Sequence, residues 1–130
     1  MKSAYYDAMP SKFEAAGNGS YIYRWDVKEE KVERHEASEG GEESEKVQYS
    51  CYEVVVWAPV SSNKILQAVL EAKFPDNREQ KYINEYNAAI LGVYTDEKAK
   101  EKVETYKAFL RERDAIKNQV DSDCAELNIK

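Results

Sequence analysis

The stretch Val47-Gln48-Tyr49-Ser50-Cys51-Tyr52-Glu53-Val54-Val55-Val56-Trp57-Ala58-Pro59, followed by Val60-Ser61-Ser62-Asn63-Lys64-Ile65-Leu66, decides the fold class. Its first part is rich in β-branched and aromatic residues, fits a strand and stops at Pro59. Beyond the proline the period changes: Ile65, Leu66, Val69 and Leu70 recur at helical spacing behind a Ser61-Ser62-Asn63 cap. One boundary thus separates a β half from an α half.

Upstream, Tyr21, Tyr23, Trp25 and Val27 alternate with Arg24, Asp26 and Lys28, the period of a half-buried strand with the charged residues on its polar face. The two strands predict a long antiparallel hairpin over about residues 21–58. Its loop, residues 34–46, is acidic and glycine-containing, and like charges at that density favour a solvated tip. Before Ser20 the pattern is weak. Tyr5, Tyr6, Met9 and Phe13 are docking residues of an N-terminal arm or short helix over residues 1–20, with Gly17-Asn18-Gly19 as a turn.

Downstream, the spacing predicts helices over about 62–74, 77–91 and 96–126, packed with the hairpin in an α+β fold. Asp76 and Glu79 read as a capping box for the second helix, whose stripe is Tyr82, Ile83, Tyr86 and Ile90 and which Gly92 closes. Thr95, Asp96 and Glu97 open the third. That helix carries Val103, Tyr106, Phe109, Leu110, Ile116, Val120, Cys124 and Leu127 with no Gly or Pro. At about 1.5 Å per residue it outreaches the shorter elements, so part of its stripe is expected to meet another chain.

The 130 residues are expected to form a single domain, long enough to bury roughly two-thirds of the unfolded surface. No secretory signal and no run of about 18 apolar residues is present, so the expected location is the cytoplasm, with no membrane association. A formal net charge of −6 disfavours direct nucleic-acid binding, which needs clustered Lys and Arg. Nearly all of the imbalance lies in residues 29–46, where eight glutamates face three basic residues.

Candidate chemistry is sparse. Cys51 and Cys124 lack the spacing of a zinc site or disulfide framework and read as reduced, packed thiols. The single histidine, His35, lies in the acidic loop, away from the stiff frame that nucleophilic catalysis requires. The acids sit on polar faces or in the loop, where they titrate independently, and there is no calcium-loop or phosphate-loop pattern. No catalytic residue, metal or other cofactor is therefore expected.

The segment from Tyr49 to Leu127, about 60% of the chain, resembles small proteins encoded among the tail and tail-fibre genes of tailed bacteriophages and prophages. The likeness lies in the strand ending at a proline, Val54-Val55-Val56-Trp57-Ala58-Pro59-Val60. It continues in a short helix with Asn63-Lys64-Ile65, an acidic-start helix with Ile83-Asn84-Glu85-Tyr86, and a charged final helix, Tyr106-Lys107-Ala108-Phe109-Leu110-Arg111-Glu112-Arg113-Asp114-Ala115-Ile116-Lys117. The long acidic hairpin and tyrosine-rich arm depart from that pattern.

The resemblance implies a non-enzymatic virion component or tail assembly factor, made in the cytoplasm and working through protein contacts with a tail component or with itself, as a homo-oligomer or part of a larger assembly. The candidate interface comprises Tyr21, Tyr23, Trp25, Trp57, Phe109, Ile116, Val120 and Leu127. Two other functions fit the residues. A small acidic inhibitor would mimic nucleic acid through Glu39, Glu42, Glu43 and Glu45, and a carbohydrate-binding module would use Trp25 or Trp57.

Overall fold

A computed structural model describes residues 1–33 and 45–130 of the chain. It is an α+β protein with four antiparallel strands followed by three helices. The chain divides into two compact units, Met1–Pro59 and Val60–Lys130. His35, Glu39, Glu42, Glu43 and most of the acidic segment lie outside the described residues. Glu45 is placed as the first residue of a strand.

The strands of the first unit are β1 (Ala4–Tyr6), β2 (Phe13–Ala15), β3 (Ser20–Glu33) and β4 (Glu45–Trp57). They are ordered β1-β4-β3-β2. The hairpin of the sequence reading is present as β3 and β4, with Ser20 opposite Trp57 and Glu33 opposite Glu45. The arm is neither free nor helical. Its two three-residue strands pair with the hairpin's outer edges, Ala4 opposite Cys51 and Phe13 opposite Tyr23. At the expected turn, Gly17 and Gly19 take φ of +87° and +90°, and the Asn18 side chain accepts from the Ser20 N–H at 3.1 Å.

The alternation of β3 breaks after Trp25. Asp26 adopts φ of +56° and the register shifts between Trp25 and Lys28, so two residues oppose one on β4. Paired residues share a face. Tyr21, Tyr23 and Trp25 therefore lie with Phe13 and with Tyr52, Val54 and Val56, whereas Ile22 and Arg24 lie with Glu14, Glu53 and Val55. Past the bulge Lys28 opposes Ser50 and returns to the aromatic face, which corrects the expectation that it follows Arg24. Rings line that face: Phe13 stacks on Tyr21 at 5.2 Å, Tyr23 on Trp25 at 5.6 Å, and Trp25 meets Tyr52 at 5.9 Å.

The helices of the second unit are α1 (Ser62–Lys73), α2 (Arg78–Ile90) and α3 (Asp96–Leu127), each within a residue or so of its expected bounds. Ser61 caps α1 by accepting from the Lys64 N–H at 3.2 Å. The expected capping box at α2 does not form: Asp76 and Asn77 both take left-handed φ, 60° and 59°, and no side chain caps the helix. Gly92, at φ +78°, closes α2 as expected. Its N–H donates to Ala89 O and that of Val93 to Ala88 O, a Schellman ending. Asn128 ends α3 the same way, with Ile129 donating to Cys124 O at 2.8 Å.

α3 spans about 48 Å at 1.5 Å per residue, and the contacts of α1 and α2 run along it as far as Lys102. Ser62 N–H donates to the Lys130 carbonyl, Lys73 pairs with Glu112 at 3.1 Å, Tyr86 stacks on Tyr106 at 4.4 Å and Glu85 pairs with Lys102 at 3.2 Å. Partners thus climb α1 and α2 while descending α3. The first two helices lie end to end, antiparallel to the third, and their junction is packed by Phe74, Tyr82 and Phe109, with both ring centroids 5.0 Å from Phe109. Of the α3 stripe, Phe109, Val120 and Cys124 are buried within the chain, whereas Leu110 remains 44% exposed.

Candidate functional site

Four residues, one from each strand, form a polar row across one sheet face: Tyr6, Glu53, Arg24 and Glu14. Arg24 Nε donates to Glu53 Oε2 at 3.0 Å, and Nη2 donates to Tyr6 Oη at 3.1 Å and to Glu14 Oε1. The Tyr6 hydroxyl in turn donates to Glu53 Oε2. The guanidinium carbon lies 4.7 Å from the centre of the Tyr6 ring. Residues 7–12 must cross from β1 at one edge to β2 at the other, about three strand spacings or 14 Å. They pass over Arg24: Ser11 O accepts from Nη1 at 3.0 Å, and Lys12 O accepts from the Arg24 backbone N–H at 2.7 Å. The N-terminal segment is therefore a strap, and Arg24 is its fastening.

Arg24 is 2% exposed, where the strand pattern expects a solvent-facing side chain. Burial alone would favour the neutral guanidine, but the bonds to Glu14, Tyr6 and Glu53 outweigh it and push its pKa up. Burial, then the bond to Glu53, raises the pKa of Tyr6, keeping its hydroxyl a donor. Chemically the row matches the donors of Arg24 and Tyr6 to carboxylates that remain partly open to solvent. The sequence signal for it was available: Arg24 interrupts an otherwise aromatic strand between Tyr23 and Trp25.

A pocket of about 120 Å³ lies at the bulge, lined by Ser3, Asp26, Lys28, Glu30, Ser50, Cys51 and Tyr52. Its polar groups engage one another, Ser50 Oγ donating to Glu30 Oε1 at 3.1 Å and Lys28 lying 3.7 Å from Asp26. Burial, then Glu53, raises the Cys51 thiol pKa, so at neutral pH it remains a thiol and a poor nucleophile. Burial acts likewise on Cys124. Both cysteines are free and buried, matching their expected packed state. Among the described residues no cluster of three His, Cys, Asp or Glu is disposed to hold a metal ion, and no helix is long and apolar enough to cross a membrane.

The eight candidate interface residues separate by burial. Tyr23, Trp25, Phe109 and Val120 are core side chains between 0 and 8% exposed and offer no surface to a partner. Tyr21, Ile116 and Leu127 are half-buried. Trp57 is 58% exposed. Trp25 therefore cannot serve as a sugar platform, because both faces of a stacking ring must be reachable or one fully open. The structure adds a patch that the sequence reading placed inside a helix stripe or passed over. Ile90, Leu91 and Val93, at the α2–α3 turn, are 62%, 80% and 70% exposed.

Comparison with protein-family models, with curated proteins and with solved structures finds no match to this chain.

Proposed function

We propose that this chain is a non-enzymatic structural or assembly protein that works by binding other proteins, in the setting of a phage or prophage tail. The observation that supports contact function is the turn at residues 90–93. Turns are ordinarily polar, yet three large aliphatic side chains stand out of this one, on a backbone fixed by a Schellman ending. Together they expose on the order of 300 Å² of apolar surface, the size of a functional patch on a monomer. The tail setting rests on the resemblance of residues 49–127 alone. Its location would be the cytoplasm during synthesis and the particle after assembly.

The test is recovery of tagged protein from cells in which a tailed phage or prophage is being assembled, with bound proteins identified by mass spectrometry. Tail, fibre or baseplate proteins should accompany the wild type and be lost with Leu91→Asp combined with Val93→Asp. No tail protein with the wild type, or the same set with the variant, would refute the reading.

A further inference from the structure

We infer that the outer edge of β4 near Val55 is a self-pairing surface, through which two copies of the chain join their sheets across a two-fold axis. The inference deepens the protein-contact reading and rests on it. Its basis is the direction of the backbone groups. Ala58 donates its N–H to Gly19 O, whereas Arg24 and Ser20 direct their backbone groups away from β4, toward Lys12 and Ala16. Hydrogen-bonding direction alternates along an antiparallel ladder. With Tyr21 opposite Val56, Ile22 opposite Val55 and Arg24 opposite Glu53, the N–H and C=O of Glu53 and Val55 therefore point outward from the hairpin.

Among the described residues no strand pairs with that edge, since β1 covers β4 only at residues 49–51. The sheet's other open edges carry the usual guards against association. On β3 the stretch beyond β2 has the bulge at Asp26 and then Lys28, Glu29, Glu30 and Lys31, and the far end of β4 starts with Glu45 and Lys46. Residues 53–57 have neither lysine, proline nor bulge. Their one charge, Glu53, is held by Arg24 and Tyr6. Val55, on the same strand face as Glu53, is 54% exposed.

A second copy suits this edge. Antiparallel pairing centred on Val55 sets Val55 against Val55, so that the outward N–H of each copy meets the other's carbonyl. Charge does not oppose it. The described glutamates at the far end of the hairpin, Glu33 and Glu45, lie more than about 30 Å from Val55 at 3.4 Å per residue, several screening lengths away. The two-fold sends the two acidic ends in opposite directions.

The experiment is light scattering of the full chain over a concentration series, with Val55→Pro, Val55→Lys, and Leu91→Lys combined with Val93→Lys. Proline at Val55 removes only an outward N–H, and lysine restores the usual guard. The wild type should approach twice the 15.0 kDa chain mass. Each Val55 variant should weaken the dimer about tenfold or more, the effect of losing roughly 1.4 kcal/mol, with an unchanged circular dichroism spectrum. The Val55 amide should exchange more slowly as concentration rises, a readout that survives if a variant fails to fold.

A monomer up to about 1 mM, where even weak association shows, would overturn the inference. So would a dimer that ignores both Val55 variants, or one that the variant at residues 91 and 93 dissociates. A monomeric wild type that still recovers tail proteins would refute the pairing while leaving the proposed function standing.

Discussion

Replacing Arg24 with Met tests whether the strap is fastened as described. The side chain donates to Glu53, Tyr6, Glu14 and the Ser11 carbonyl, so its loss unties both outer strands and the crossing segment at once. Breaking a fully buried ion pair costs about 3–5 kcal/mol. Here the orphaned carboxylates remain partly wet, Glu14 at 47% and Glu53 at 32% exposure, which moves the expected loss to about 2–3 kcal/mol. Both tryptophans lie in the sheet unit, so their fluorescence reports its unfolding in urea apart from the helical signal at 222 nm. With a slope of about 1.5 kcal/mol per molar, the midpoint should fall by roughly 1.3–2 M. Arg24→Lys should recover little, because one ammonium cannot reproduce a planar fork reaching three strands and the strap. A loss below about 0.5 kcal/mol, the size of an ordinary surface change, or full recovery with lysine would refute the reasoning.

Other outcomes follow from the same contacts. Phe109→Ala removes the ring on which Phe74, Tyr82 and Tyr106 converge, and should destabilise the helical unit by about 3–5 kcal/mol in 222 nm unfolding curves. Gly92→Ala forces a Cβ onto φ of +78° at an open position, so it should cost about 1–2 kcal/mol from backbone strain alone. For Tyr6 the fold favours the neutral phenol, so its stabilising contribution is complete below the unfolded value of about 10 and is lost as pH rises through the raised folded value. Urea midpoints between pH 8 and 11 should fall further for the wild type than for Tyr6→Phe. Cys51 and Cys124 should react with an aromatic disulfide reagent only once denaturant opens the fold, since both are buried and their thiol pKa values are raised.

Elements with strong periodicity were legible. The valine run to Trp57 and the stripe of Ile65, Leu66, Val69 and Leu70 make their structures from local pattern, and the strands and helices lie close to where the pattern puts them. What escaped depends on neighbours far along the chain. Residues 4–6 and 13–15 have too few positions to show a period, and they become strands only because β4 and β3 present open edges to them. The capping box at Asp76 and Glu79 has the right residues, but the chain turns there through two left-handed positions to lay α2 in line with α1, and that turn displaces the cap.

The burial of half of the candidate interface residues has the same physical root. A stripe of apolar residues states that a face is covered without stating by what. α1 and α2, laid end to end, meet α3 from Lys130 back to Lys102. Phe109 and Val120 are consumed inside one chain, and Tyr23 and Trp25 are likewise core. The large apolar groups left exposed include Ile90, Leu91 and Val93 at a turn, Val55 and Trp57 on β4, and Leu110 on α3. Association, if driven by apolar surface, has to use groups the fold has not already buried, so these are the positions whose substitution should change what the protein binds without changing whether it folds.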